Sequence, residues 1–495
     1  MAESASIESL EPRDVWQFFA GLASVPRPSF KEQRVRAHVK KLVEQKGFKT
    51  KEEPVGNLIV EVPATKGHDK APIIVLQAHL DMVCEKNRGT AHDFDRDPIR
   101  LVADQDAEGE RIIRADGTTL GADNGMGVAM ALAAATNPGV VHGPIELLFT
   151  INEEAGMDGA KAVTGKSFRG RRMINLDAEE DDVIYIGCAG GCDVNLTWRF
   201  DASGPGGDAI CARVNVQGLR GGHSGGDIHE NRANANKLLA RVLDGLGDST
   251  LRIGDISGGS MRNAIPREAH AVVCGGGDLV KRLDAVARRV QAEAKAESYE
   301  EGVRIDVQGI LSADAGVLAS PEDSVRLLSA MMALPNGVLG MHPKVPNLVQ
   351  TSNNVSTIET KSNGPLQITI GMLSRSSADS CLQTVKRQIV AAAVLAGASH
   401  EYGNEYPGWE PNVDSATLAT AQRVYQETFR EPPKVAAVHA GLECGIIGKC
   451  VGGMDMISVG PRITGAHSPD ERVYVDSVAK SWSFLKGILA ACAKS

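Results

Sequence analysis

Two side chains able to bind a metal, His79 and Asp81, stand two apart in QAHLDMV (77–83), just where the apolar run IIVL (73–76) stops. The same juxtaposition recurs along the chain. Glu153 and Glu154 follow a strand-like run in FTINEEAG (149–156), Asp177 follows another in INLDAEE (174–180), and His467 lies in GPRITGAHSPD (460–470) after MISVG. Asp123, in GTTLGADNGMG (117–127), stands before an Ala-rich helical run. Taken singly, each has an ordinary reading: a satisfied strand-end histidine, a helix N-cap for Asp123, a solvated turn or a loop-capping carboxylate. Recurrence changes that, because functional groups of α/β sheets gather beyond the carboxyl ends of the strands, and neighbouring strand ends converge in space. Two histidines with three or four carboxylates suit a pair of Zn2+ ions, provided one carboxylate bridges. The histidines argue against an all-oxygen Mg2+ or Ca2+ site, and the thiol-poor, mixed N/O donor set argues against structural zinc. Adjacent glutamates then permit a division of labour in which one binds metal and the other takes a proton from an activated water.

The elements that must hold these groups are legible from periodicity. Strands are expected at 57–62, 72–77, 144–151 and 171–176, with a helix near 125–136. A capping box at Ser29 and Glu32 is expected to open a helix that Gly47 closes. Continuous apolar strands flanked by helices predict an α/β fold with a mostly parallel sheet and helices on both faces. From about residue 190 the order becomes β-α-β-β-α-β (strands 211–218, 251–256, 267–274 and 303–308), which is ferredoxin-like. Beyond about 402 the first style returns. The reading is therefore a split catalytic α/β domain, 1–189 and 403–495, interrupted by an inserted α+β lid or substrate domain, 190–402.

Composition excludes several classes. A chain of 495 residues exceeds what one core usually holds, and a net charge of −9 without basic clusters makes a nucleic-acid surface unexpected. The longest apolar runs (128–136 and 389–398) are too short to span a membrane, and MAESASIESLEPRD has no leader pattern, so a cytoplasmic protein is expected. Nine scattered cysteines without C-x-x-C spacing read as reduced thiols. TGKS (164–167) lacks the glycine of a phosphate loop, and no G-x-G-x-x-G opens a helix after a strand.

The ensemble QAHLDMV, GTTLGADNGMG, TINEEAGMDGA, INLDAEE, GLRGGHSGGDIH, RNAIPREA, MLSRSS and GAHSPDE resembles the di-zinc aminoacylase/carboxypeptidase-like metallopeptidases, most closely their aminoacyl-histidine dipeptidase branch, over nearly the whole chain. The resemblance implies that His79 and Asp177 hold one zinc, Glu154 and His467 the other, and that Asp123 bridges them. It implies Asp81 as the group orienting His79 and Glu153 as general base and acid toward a hydroxide bridging the ions. It further implies His223, Asn263, Arg375 and Gly441 as substrate-binding residues, with His223 at the oxyanion and Arg375 on the terminal carboxylate. Two Zn2+ per chain are expected, with Co2+ or Mn2+ as alternatives. The substrates are small dipeptides, Xaa-His among them; an aminoacylase or tripeptidase is the alternative, and a homodimer is compatible with the pattern.

Overall fold

In the computed structural model, which describes residues 7–362 and 364–494, the chain forms two compact units. Residues 1–6, part of the stretch read above for a leader, lie outside the described residues. The first unit comprises 1–187, 409–437 and 442–495; the second comprises 188–408 and 438–441.

The first unit is built on an eight-stranded sheet. Its centre is parallel: Ile145–Thr150, Ile74–His79, Arg172–Asn175 and Asp455–Ser458 run side by side in one direction. Toward the edges pairing turns antiparallel, through Leu58–Val62 and Lys49–Glu52 on one side and Val183–Cys188 on the other. Ile74–His79 and Ile145–Thr150 are buried at all six positions, the expected pattern for strands covered on both faces. The helix Ala122–Thr136 is buried along nearly its whole length, which its small side chains permit, and packs into one continuous core with helices Arg13–Ala23, Gln33–Glu44, Ala416–Phe429 and Val475–Cys492. A separate four-stranded sheet joins Leu101–Gln105, Arg111–Ala115, Arg472–Tyr474 and Ile463–Thr464.

The capping box does not form. The helix runs Gln33–Glu44 without a side-chain cap; Ser29 Oγ donates instead to Asp81 Oδ2 (2.7 Å), and Glu32 Oε1 accepts from the backbone of Phe30 and Asn152. Tertiary partners have taken both halves of a local motif.

The second unit carries a nine-stranded sheet with its own core. Strands Ile210–Gln217, Arg252–Gly258, Ala269–Gly275 and Arg304–Ile310, with helices Ala235–Asp244 and Leu279–Ser298, lie in the spatial order fourth, first, third, second. This is the ferredoxin-like arrangement expected from the element order. A second set repeats it in mirror order: Gly190–Phe200, helix Pro321–Ala333, Val349–Lys361, Leu366–Ser376, helix Asp379–Leu395 and Ser399–Tyr406. The first set is inserted after the first strand of the second, and the two sheets join edge to edge where Gly258 pairs Ile358. Strand Ser399–Tyr406 spans residue 402 and belongs to this unit.

Cys211 and Cys274 face each other in register on neighbouring strands and form a disulfide, contrary to the expectation of reduced thiols throughout. Cross-strand cysteines 63 residues apart leave no local signature. Among the described residues no helix is long and apolar enough to cross a membrane.

Candidate metal centre

His79 is the last residue of its strand, Glu153 and Glu154 open a short helix three residues beyond Thr150, and Asp177 lies two beyond Asn175. These strand ends are neighbours in the sheet, so the side chains converge. His79 Nε2 lies 3.0 Å from Asp123 Oδ1 and 3.4 Å from Asp177 Oδ1. His467 Nε2 lies 3.2 Å from Asp123 Oδ2 and 3.0 Å from Glu154 Oε2. Asp123 therefore turns one oxygen to each histidine, and each histidine has a second carboxylate of its own.

The environment sets the charges. Burial disfavours a charged His79, but Asp177, Asp123 and Asp81 outweigh it and raise its pKa well above the usual histidine range. Hydrogen bonds to Asp123 and Glu154 push His467 up to about 11. Asp177 is lifted to about 6, chiefly by burial, whereas Asp123 is lowered because its two imidazole partners outweigh its burial. Burial, aided by the charges of Asp177, Glu443 and Glu154, holds the Glu153 carboxyl well above its ordinary value, although His79 opposes the shift.

Asp81 does more than accompany His79. Its Oδ1 lies 3.4 Å from His79 Nδ1 and accepts from the Glu153 backbone N–H (3.0 Å), while Oδ2 accepts from the Glu154 N–H (3.2 Å) and from Ser29. One carboxylate thus caps the turn bearing both glutamates, the favourable end of a helix for a negative group.

Asp123 is not the cap of its helix. Glu471, 2 % exposed, accepts from the N–H groups of Leu120 (2.7 Å), Gly121 (2.9 Å), Ala122 (2.7 Å) and Asp123 (3.2 Å), so the Asp123 side chain is free to face the histidines. Gly121, with φ +72°, makes the entry turn. Gly127 lets the helix approach the segment before Asp177, since a Cβ there would meet the Leu176 carbonyl at 2.4 Å. Arg27, also buried, donates to the carbonyls of Leu80, Asp81 and Gly121, tying the two loops together. Sequence reading missed Arg27 and Glu471 and gave Ser29 only a capping role; the only hint of Glu471 was its place in GAHSPDE.

The four substrate candidates all belong to the second unit. His223 Nδ1 accepts from Gly225 N (3.3 Å) and Gly226 N (2.8 Å), which leaves Nε2 as the protonated nitrogen of the neutral ring, and burial with the nearby Arg375 charge lowers its pKa. The Asn263 carbonyl accepts from Ser224 N (2.8 Å), placing these two segments together; the Asn263 side chain is exposed. Arg375 is 5 % exposed and donates to Tyr406 OH (2.9 Å). Gly441 ends the segment Val438–Gly441. The same segment brings His439, absent from the sequence reading, to within 2.7 Å of Ser352 Oγ, and burial with the Arg375 charge pushes it down to about 3, keeping it neutral.

The convergent groups fit a divalent cation. The donors are imidazole nitrogen and carboxylate oxygen, and among the described residues buried Glu154 Oε1 and Asp177 Oδ1 accept no hydrogen bond, His79 Nε2 lying 3.4 Å from the latter. Carboxylates this close repel one another unless cations lie between them.

The comparisons agree with that chemistry. A model of peptidase family M20/M25/M40 matches residues 75–491. The chain is 40% identical over 489 residues to the cytosol non-specific dipeptidase of Escherichia coli, covering 98% of this chain and 99% of that protein. It superposes on the crystal structure of the aminoacylhistidine dipeptidase of Vibrio alginolyticus with a TM-score of 0.90 at 37% identity, covering 99% of each chain. A tripeptidase from Staphylococcus aureus shares the fold alone, with a TM-score of 0.61 at 14% identity, over 98% of this chain and 100% of that one. A divalent-metal site at the strand ends, a match to the family model across most of the length and full-length relatives place this chain in peptidase family M20/M25/M40.

Proposed function

We propose that the chain is a di-zinc dipeptidase, acting on free dipeptides with Xaa-His among them, and that it works in the cytoplasm. The observation that carries the reading is the split of Asp123, one oxygen toward His79 and the other toward His467. In this reading His79 and Asp177 hold one ion, Glu154 and His467 the other, and Asp123 both; Co2+ or Mn2+ can replace zinc in such a donor set. The ions, when bound, supply Lewis acidity toward the scissile carbonyl and make the attacking water more acidic. Glu153, the neighbour of Glu154 in the same turn, takes a proton from that water and returns it to the leaving amide nitrogen. Asp81 fixes the His79 ring and, through two backbone N–H groups, the direction of Glu153. His223, as an N–H donor, serves the carbonyl oxygen; Arg375 takes the terminal carboxylate, with Asn263 and Gly441 contacting the remainder of the dipeptide. The names borne by the Escherichia coli and Vibrio alginolyticus relatives support dipeptides as the substrate class.

The test is turnover by metal-free enzyme to which zinc, cobalt or manganese is returned, against free dipeptides, N-acylated amino acids and tripeptides. Free dipeptides should be cleaved best, in proportion to bound metal up to two ions per chain. Preference for an N-acylated amino acid or a tripeptide would overturn the assignment.

A further inference from the structure

One buried carboxyl takes no part in the chemistry above. Glu443 opens the helix Glu443–Cys450 and is fully buried. Its Oε2 accepts from Gln77 Nε2 and from Thr150 Oγ1, each at 2.6 Å. Gln77 lies two residues before His79 on the same strand, and Thr150 is the register partner of His79 on the next. The chain of bonds continues: Gln77 Oε1 accepts from Asn175 Nδ2 (2.6 Å), and Asn175 Oδ1 accepts from Ser458 Oγ (2.5 Å) and from the Asp177 backbone N–H (3.3 Å). Gln77 pairs Asn175 in register, and Asn175 pairs Ser458.

A row of polar side chains therefore crosses the four parallel strands at their carboxyl ends, just beneath His79 and Asp177, and a carboxyl from a distant segment closes it. Polar groups inside a sheet otherwise packed with Ile, Val, Leu and Phe are costly unless each is satisfied. Burial pushes Glu443 up to about 8, with Asp177 and Asp81 adding to the shift against His79 and the Thr150 hydrogen bond.

We propose that Glu443 is a positioning residue of the metal centre: by closing this row it holds the strand end that presents His79 and the turn that presents Asp177. The proposal rests on the reading of those two residues as ligands of one ion. It reaches the metal through Gln77 and Asn175, touching neither metal nor substrate.

Three variants test it. Glu443→Gln keeps an acceptor for Gln77 and Thr150; Glu443→Ala removes the acceptor; Glu443→Asp withdraws it by one methylene and carries the comparison should the Ala chain fail to fold. The readouts are zinc affinity by competition with a chelating dye, unfolding temperature of the metal-free protein, and kcat and KM at saturating metal. Glu443→Ala and Glu443→Asp should bind one of the two ions about 10- to 100-fold more weakly, the usual cost of losing support behind a ligand, and lower kcat more than KM. Glu443→Gln should restore the affinity to near the wild-type value. Two ions bound at full affinity by the Ala and Asp variants, with only the unfolding temperature lowered, would reduce Glu443 to a fold-stabilising group and overturn the proposal. So would a Gln variant as impaired as Ala. Failure of the dipeptidase reading looks different, because it would appear in the wild-type chain as the wrong metal count or the wrong substrate preference.

Discussion

Glu153 and Glu154 are neighbours in sequence, in one short helix, and share Asp81 as the acceptor of their N–H groups, yet they face different chemistry. Glu154 Oε2 lies 3.0 Å from His467, as a ligand to the same ion would, whereas among the described residues Glu153 forms no such ion pair with an imidazole, and burial with surrounding carboxylates raises its carboxyl above the ordinary value. That contrast gives opposite expectations for the same change. Glu153→Gln should lower turnover by at least about 100-fold while both ions stay bound, since a general base touches water rather than metal. Glu154→Gln should lose one ion. Elemental analysis of the two purified variants decides it, and equal metal loss from both would reverse the assignment.

At the scale of elements, the Asp123 helix depends on a residue far away in sequence. Helix N-termini expose unpaired N–H groups that something must satisfy. Here Glu471 satisfies four donors from Leu120 to Asp123, and in doing so frees Asp123 from the capping role its sequence position suggests. Glu471→Ala should therefore destabilise the metal-free protein by about 2 to 4 kcal/mol, because buried donors would lose their acceptor. Urea unfolding measures this; a loss under about 0.5 kcal/mol, the range of ordinary surface changes, would show that water replaces the carboxylate at no cost. The helix Gln33–Glu44 teaches the same lesson in reverse. Its expected capping box gave way to the Ser29–Asp81 bond, so the residue that looked like a cap holds a carboxylate beside the proposed metal centre instead.

At the scale of the whole molecule, each of the two units has its own hydrophobic cluster, and the proposed metal ligands all lie in the first. Separate cores favour separate cooperative transitions. Calorimetry of the metal-free protein should show two, and added zinc should raise the one belonging to the first unit, since a ligand that binds only the native state stabilises what it binds. Both transitions rising together by the same amount would show that the units unfold as one. The disulfide Cys211–Cys274 lies in the second unit, so a reductant should act on the other transition.

What the amino-acid order determined by itself is local or repetitive. Apolar runs ending at donor residues marked His79, Glu153, Glu154 and Asp177; the change of element pattern near residue 190 marked the ferredoxin-like arrangement; and short motifs carried the family resemblance that the family match over residues 75–491 supports. Those signals survive because strand and helix periodicity, and the glycine-rich turns of GADNGMG, act over a few residues. The tertiary structure alone decided which oxygen of Asp123 meets which histidine, that Glu471 rather than Asp123 caps the helix, and that Glu443 closes the polar row. It alone paired Cys211 with Cys274. The bonds from Glu471 to Leu120 and from Gln77 to Glu443 join residues 351 and 366 positions apart. A hydrogen bond acts over about 3 Å in space, so partners at such separation leave no trace in any local pattern until the sheet has brought them together.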